Sequence, residues 1–236
     1  MDTQTRHALK GDKFAQATQS SVTWISGHRS SVLRWVITLA VVLVVVAGIA
    51  VFVQMRSSAA SAALGTALDV YSAPLLPAGA PAETGVYATA AERSKAANQK
   101  FLAVAQDFGW LQEGTKAHYF AGVTDEELGQ NGPAEEELKK AADAWDRNTS
   151  NLAKIALAGL YHQTNRDAQA IDLYNQVTAK PSVTVSASVA QLDLADLYAA
   201  SGKRDMARVL WAKIRDGDKD GAAGALAAQK LSGQGQ

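Results

Sequence analysis

Between Arg34 and Arg56 the chain runs for 21 residues, Trp35 to Met55, without a charged side chain, and nearly all of them are Val, Leu, Ile, Ala or Phe. At a rise of about 1.5 Å per residue this stretch makes a helix about 31 Å long, close to the hydrocarbon thickness of a bilayer. A helix that is apolar on every side has no wet face and must be covered by protein or lipid. A core helix rarely runs so far without a polar face, and a cleaved signal usually has a shorter apolar core behind a short basic start. The favoured reading is one transmembrane helix over 35–55, retained as an anchor in the lipid bilayer. The run Ala59, Ala60, Ser61, Ala62 and Ala63 would suit a signal peptidase, so a cleaved signal is the rival reading.

Basic residues flanking a span stay on the cytoplasmic side. Residues 1–34 form a basic tail with Arg6, Lys10, Lys13, Arg29 and Arg34, whereas the first base after Arg56 is Arg93. The N-terminus is therefore expected in the cytoplasm and the C-terminal domain outside it, in the periplasm of a bacterial inner-membrane protein. Trp35 falls at the edge of the span, where an indole prefers the headgroup layer. Trp24 with Ile25 either shares that surface or belongs to a poorly ordered tail.

From Ser57 onward the chain has 17 Lys+Arg against 21 Asp+Glu, a net charge of −4. With no basic stripe or arginine-rich run, nucleic acid is not an expected partner. The absence of cysteine removes disulfides, thiolate metal sites and a thiol nucleophile.

The exported part repeats itself. Leu157-Ala158-Gly159-Leu160-Tyr161 recurs 37 residues later as Leu194-Ala195-Asp196-Leu197-Tyr198, and Asn165, Ala170 and Tyr174 map onto Gly202, Ala207 and Trp211. A copy 36 residues upstream sets Gly122, Gly129, Ala134, Leu138 and Ala141 against Ala158, Asn165, Ala170, Tyr174 and Val177. In each copy a small residue (Gly122, Ala158, Ala195) and an alanine 12 later (Ala134, Ala170, Ala207) let two antiparallel helices approach, and a bulky side chain (Leu138, Tyr174, Trp211) fills the space beyond. Between the helices Gly129, Asn165 and Gly202 are residues that accept positive φ. Pro181 marks a helix stop and Pro133 a helix start.

This pattern resembles the tetratricopeptide repeat, over copies at 115–148, 151–184 and 188–221, with Asp125 replacing the usual aromatic of the first copy. Ala97, Phe101 and Val104 continue the register upstream, so 57–110 reads as a partial repeat whose helices are separated by the insertion Ser72–Gly85. Residues 222–236 supply a capping helix, Ala222–Leu231, and tail. The fold class expected is all-α: one N-terminal transmembrane helix followed by a tetratricopeptide-like α-solenoid. Tyr161, Tyr174, Tyr198, Trp145 and Trp211 are expected to pack its core.

Such solenoids hold peptides on the concave face lined by first helices. By register that face carries Tyr119, Val123, Leu152, Ile155, His162, Val189 and Leu192, with Lys116, Glu126, Gly159 and Asp196 among them. The mixture suits extended apolar segments of proteins or peptides. Asp216-Gly217-Asp218-Lys219-Asp220-Gly221 opens like a calcium loop, but Ala227 stands where the closing glutamate belongs, so a helix-capping turn is expected instead. No nucleophile–base motif, phosphate loop or metal-ligand set is present, so neither enzyme activity nor a cofactor is expected.

The tail, span and repeats together resemble the YfgM-type ancillary subunits of the Sec translocon, whose ends Arg6-His7-Ala8-Leu9-Lys10 and Ala228-Gln229-Lys230-Leu231 resemble. The resemblance implies a protein beside the translocon, with translocon subunits, periplasmic chaperones and exported clients as partners. A scaffold for envelope or division assembly is the alternative, and an envelope enzyme a distant third.

Overall fold

The structure is a computed structural model that describes residues 29–77 and 85–233. Arg6–Lys10, Lys13, Trp24 and Ile25 lie outside the described residues, as do 78–84 of the insertion. The chain divides into two units, 1–55 and 56–236.

In the first unit the described residues belong to helix α1, which spans Arg29–Tyr71. Leu33–Tyr71 is the one helix among the described residues long and apolar enough to cross a membrane. Its Val36, Leu39, Leu43, Ile49 and Phe52 side chains are exposed on every side. Thr38 satisfies its hydroxyl by donating back to the Arg34 carbonyl at 2.9 Å.

The stretch 35–55 and the start of the segment from residue 57 lie in the same helix, α1. Arg56-Ser57-Ser58-Ala59 contains no proline or glycine, so nothing local ends the helix. What changes at Arg56 is the pattern. Ala60, Leu64 and Ala67 are buried, with Tyr71 partly buried one turn on, a one-sided stripe at helical spacing.

In the second unit, helices α2 (Ala90–Phe108), α3 (Gln112–Glu127), α4 (Asn131–Ala142), α5 (Arg147–Gln163), α6 (Asp167–Ala179), α7 (Ala187–Ala200), α8 (Arg204–Gly217) and α9 (Ala222–Gly233) follow the end of α1. The architecture is all-α, with consecutive helices packed antiparallel. Caps set several of the starts. Thr89 and Glu92 form a reciprocal capping box on α2, Asp146 accepts from Asn148 and Thr149 N–H on α5, and Ser186 accepts from Val189 N–H on α7.

The pairs α3/α4, α5/α6 and α7/α8 fall on the 36- and 37-residue register, and their three turns are built alike. Gly129, Asn165 and Gly202 have φ of 72°, 60° and 77°. Just beyond each, the N–H of Gln130, Arg166 or Lys203 reaches back to the carbonyl of Asp125, Tyr161 or Tyr198 at 2.8, 2.7 and 2.8 Å. This is the Schellman termination, which needs a left-handed residue at that one place. Asn165 is the only non-glycine among the described residues with positive φ, and asparagine tolerates it best.

The packing positions also repeat. Ala158, Ala195, Ala134, Ala170 and Ala207 have no exposed surface, and Leu138, Tyr174 and Trp211 are buried beside them. Gly122 is the tightest: a Cβ there would lie 2.6 Å from Leu138 Cγ and 3.1 Å from the Ala134 carbonyl oxygen. The first copy departs where Asp125 stands in place of a tyrosine. That carboxylate is buried and accepts from Asn98 Nδ2 of α2 at 2.8 Å, while the same amide donates to Thr124 Oγ1 and the Ala121 carbonyl. Burial raises its pKa although the Asn98 bond pulls the other way.

Ahead of the copies, Tyr71, Phe101 and Phe120 join α1, α2 and α3 in one aromatic cluster with ring centroids 5.1–6.2 Å apart. At the other end Ala223 and Ala227 of α9 cover Trp211, Ile214 and Leu192.

Candidate partner-binding surface

The first-helix face is built by α3, α5 and α7, and the structure sorts its expected residues by depth. Val189 is exposed. Tyr119, Val123, Leu152, Ile155 and His162 are half-buried. Tyr119 and Ile155 pack over a core shared by the three copies, and Leu152 and Ile155 pack on Val177, Val185 and Ala190. At Gly159 an added Cβ would meet nothing within 4 Å, so the face is open there.

Leu192 corrects the expectation. It is 8% exposed and packs with Ala195, Ala207, Trp211 and Ile214, because the stripe that faces α8 and α9 runs through it. It is core, not a contact residue.

Trp145 is the opposite correction. Expected in the core, it is 74% exposed. Trp145 precedes α5 in the connection between hairpins, outside the recurring pairs Tyr161/Tyr198 and Tyr174/Trp211. Tyr161, Tyr174 and Trp211 are buried and Tyr198 is half-buried, as their register demands.

Polar contacts tie successive copies together. Gln163 donates to Glu126 at 2.7 Å. Glu135 takes Arg166 at 2.8 Å and Lys139 at 2.6 Å, and hydrogen bonds from these two bases hold its carboxyl down at about 2. The Arg166 guanidinium also lies 4.3 Å from the Tyr161 ring centroid, and Lys203 repeats the contact over Tyr198 at 5.8 Å. Burial alone would raise Glu137, but bonds from His118 and Lys140, both at 2.6 Å, outweigh it and lower its pKa.

Two groups resemble reactive chemistry until their bonding is followed. His162 Nδ1 meets Asp167 at 2.7 Å, and the Ser201 hydroxyl donates to that same carboxylate. The serine is thus bonded to the aspartate and not to the imidazole, so the set lacks the serine–base contact of a nucleophilic site. Bonds from His162 and Ser201 lower the Asp167 pKa, as expected of a structural anion. At the acidic turn Asp218 Oδ2 accepts from Gly224 N–H at 3.2 Å, capping the start of α9, and Asp216 pairs with Arg215 at 2.8 Å. Among the described residues no group of three His, Cys, Asp or Glu is placed to hold a metal ion.

A second surface escaped the sequence reading. Tyr198, Leu210, Met206 and Val209 line an outward groove of about 540 Å³. The matching groove one copy earlier, with Tyr161 and Leu173, has Gln169 and Asp172 where Met206 and Val209 stand. The change to apolar residues at two solvent positions was legible, since the packing register does not require it.

Compared with known protein families, with curated proteins and with solved structures, the chain matches none.

Proposed function

We propose that the chain is a membrane-tethered protein–protein interaction module. The observation that carries this reading is the joining, in one chain, of a helix long and apolar enough to span a bilayer to three helical hairpins on a 36–37-residue register with the same Schellman turn. Hairpins of this kind, stacked as a tetratricopeptide-like solenoid, present continuous side-chain surface and need no catalytic constellation.

In this reading α1 is a retained anchor in a bacterial inner membrane, with the N-terminus cytoplasmic and the repeats periplasmic, as the flanking bases favour. The first-helix face, open at Gly159 and apolar at Val189, Ile155 and Val123, receives extended segments of partner proteins. The resemblance to YfgM-type subunits makes translocon components, periplasmic chaperones and exported clients the partners to seek.

The test is photo-crosslinking in cells from full-length chains carrying a photoreactive residue at Gly159, Val189 or, for comparison, Val209. Translocon subunits or exported clients recovered from the first two positions are the expected result. Recovery of division or envelope-assembly proteins would move the reading to a scaffold. Crosslinks from Val209 alone would put the working surface in the outward groove. A mature chain whose N-terminus falls near Leu64 would refute the retained anchor.

A further inference from the structure

In a repeat array, positions that hold the fold together must recur, whereas a cluster that occurs in one copy and points to solvent is not required by packing. One such cluster stands out. Trp145, Arg147, Asn151, Lys154, Gln176 and Lys180 line an open cavity of about 550 Å³ where the start of α5 meets the end of α6. Its counterparts 36 residues earlier, Gly109, Leu111, Thr115, His118, Lys140 and Ala144, and 37 later, Ser182, Thr184, Ser188, Gln191, Lys213 and Gly217, do not share the three bases, and the one exposed indole nearby, Trp110 before α3, has no such set of bases at these positions.

The cavity is positive within a domain that is negative overall. Its lining contains no carboxylate. Among the described residues neither Arg147, Lys154 nor Lys180 pairs with an acid within 4.0 Å. The nearest acid in sequence, Asp146, is turned into the α5 cap, where it accepts from Asn148 N–H, Thr149 N–H and the Thr149 hydroxyl. Asn151 is buried and its amide donates to the Lys180 carbonyl at 2.9 Å, which fixes the end of α6 against α5 and holds the two walls together.

From this we infer that the cavity is a second docking site, for an acidic peptide segment that also carries an apolar side chain. Carboxylates meet Lys154, Lys180 and Arg147, and the apolar side chain covers the exposed Trp145 face, a surface large enough to anchor an interface. A single phosphate would leave the indole and most of the volume unused. Gln176 gives one N–H to Asp172 Oδ2 at 2.8 Å, which leaves its carbonyl oxygen and second N–H for the peptide backbone. The site extends the interaction-module reading, adding a charged contact to the apolar first-helix face.

The probe is a fluorescein-labelled peptide of alternating glutamate and leucine, titrated into the detergent-purified full chain and read by anisotropy. A lysine–leucine peptide is the control. Saturable binding of the acidic peptide alone is expected, with a shift in tryptophan emission that Trp145→Phe removes. Combining Lys154→Glu with Lys180→Glu should weaken binding about tenfold or more, as should Trp145→Ala, while Lys213→Glu, outside the cavity, leaves it unchanged.

All these side chains are on the surface, and unchanged circular dichroism will show that the variants fold. No binding, or binding that survives both cavity variants, overturns the proposal. So does binding of dihexanoyl phosphatidylglycerol that depends on Lys154 and Lys180 when the peptide does not bind, since the cavity would then be a lipid headgroup site. The titration needs no cellular partner, so failure of the crosslinking test would overturn the first-helix reading without touching this one.

Discussion

Three helical glycines, changed to alanine one at a time, separate backbone entropy from packing. Gly159, within α5, has nothing within 4 Å of the position its Cβ would take. Glycine inside a helix costs about 0.5–1 kcal/mol relative to alanine, so Gly159→Ala should stabilise by about that amount. Gly122 has the same backbone preference, but its new methyl would lie 2.6 Å from Leu138 Cγ and 2.9 Å from Cδ2. Leu138 is fully buried and has nowhere to swing. Overpacking of this kind costs about 1–3 kcal/mol, which exceeds the helix gain, so Gly122→Ala should destabilise. Gly114 is worse, because the obstacle is backbone: Phe108 O at 2.1 Å and Phe108 C at 2.5 Å. Relief there means opening the α2–α3 corner. Thermal melts of the full chain by far-UV circular dichroism should rank Gly159→Ala above wild type, then Gly122→Ala, then Gly114→Ala, with about 2–4 °C per kcal/mol for a domain of this size. The cause is checked by repeating Gly122→Ala in a Leu138→Ala background, where the loss should shrink to nothing or become a gain. An equal loss in both backgrounds would refute the clash, and stabilisation by Gly114→Ala would refute the corner.

Ala170→Leu and Ala207→Leu should each cost about 1–3 kcal/mol, because both alanines have no exposed surface and face a buried aromatic; unchanged melting of both would mean the register is wrong. Asp193 supplies a pH test. Burial first, then the neighbouring Asp196, raises its pKa from 3.8 to about 6, with Lys230 opposing. The folded chain then holds that proton better than the unfolded chain, so the stability Asp193 allows is fullest in acid and declines as pH rises through about 6. Asp193→Asn should therefore raise the melting temperature at pH 7 and leave it unchanged near pH 4, and a gain equal at both would exclude titration as the cause.

What the sequence made legible is what physics forces to recur. A Schellman turn requires a left-handed residue, so Gly129, Asn165 and Gly202 could be picked out by spacing alone, and their φ values are positive. Close helix approach requires small residues, so Ala134, Ala170 and Ala207 were equally visible. The continuation of α1 past Met55 was not. Helix propensity is unbroken through Arg56-Ser57-Ser58-Ala59, and a change of hydrophobic pattern leaves no stop signal when the chain on both sides is helical. Leu192 misled because helix period alone does not say which of two apolar stripes on α7 faces α8 and α9; that depends on where the following hairpin and cap lie.

The residues that break the register are the more informative about function. Asp125 breaks it inward, and α2 meets the change with Asn98, so a lost ring became a buried polar contact that holds the fold. Trp145, Lys154 and Lys180 break it outward, where no neighbouring side chain of the described residues answers their size or charge. An indole left 74% exposed gives up the apolar burial that would stabilise the chain. Three bases around it, without an acid partner among the described residues, add repulsion. Packing supplies no reason for the indole and the bases to stand together in this copy, since the hairpins on both sides form without that combination; the exposed Trp110 before α3 lacks the three bases. We take the compensation to come from a partner segment, its sign given by what the described residues lack: negative charge for the bases and an apolar surface for the ring.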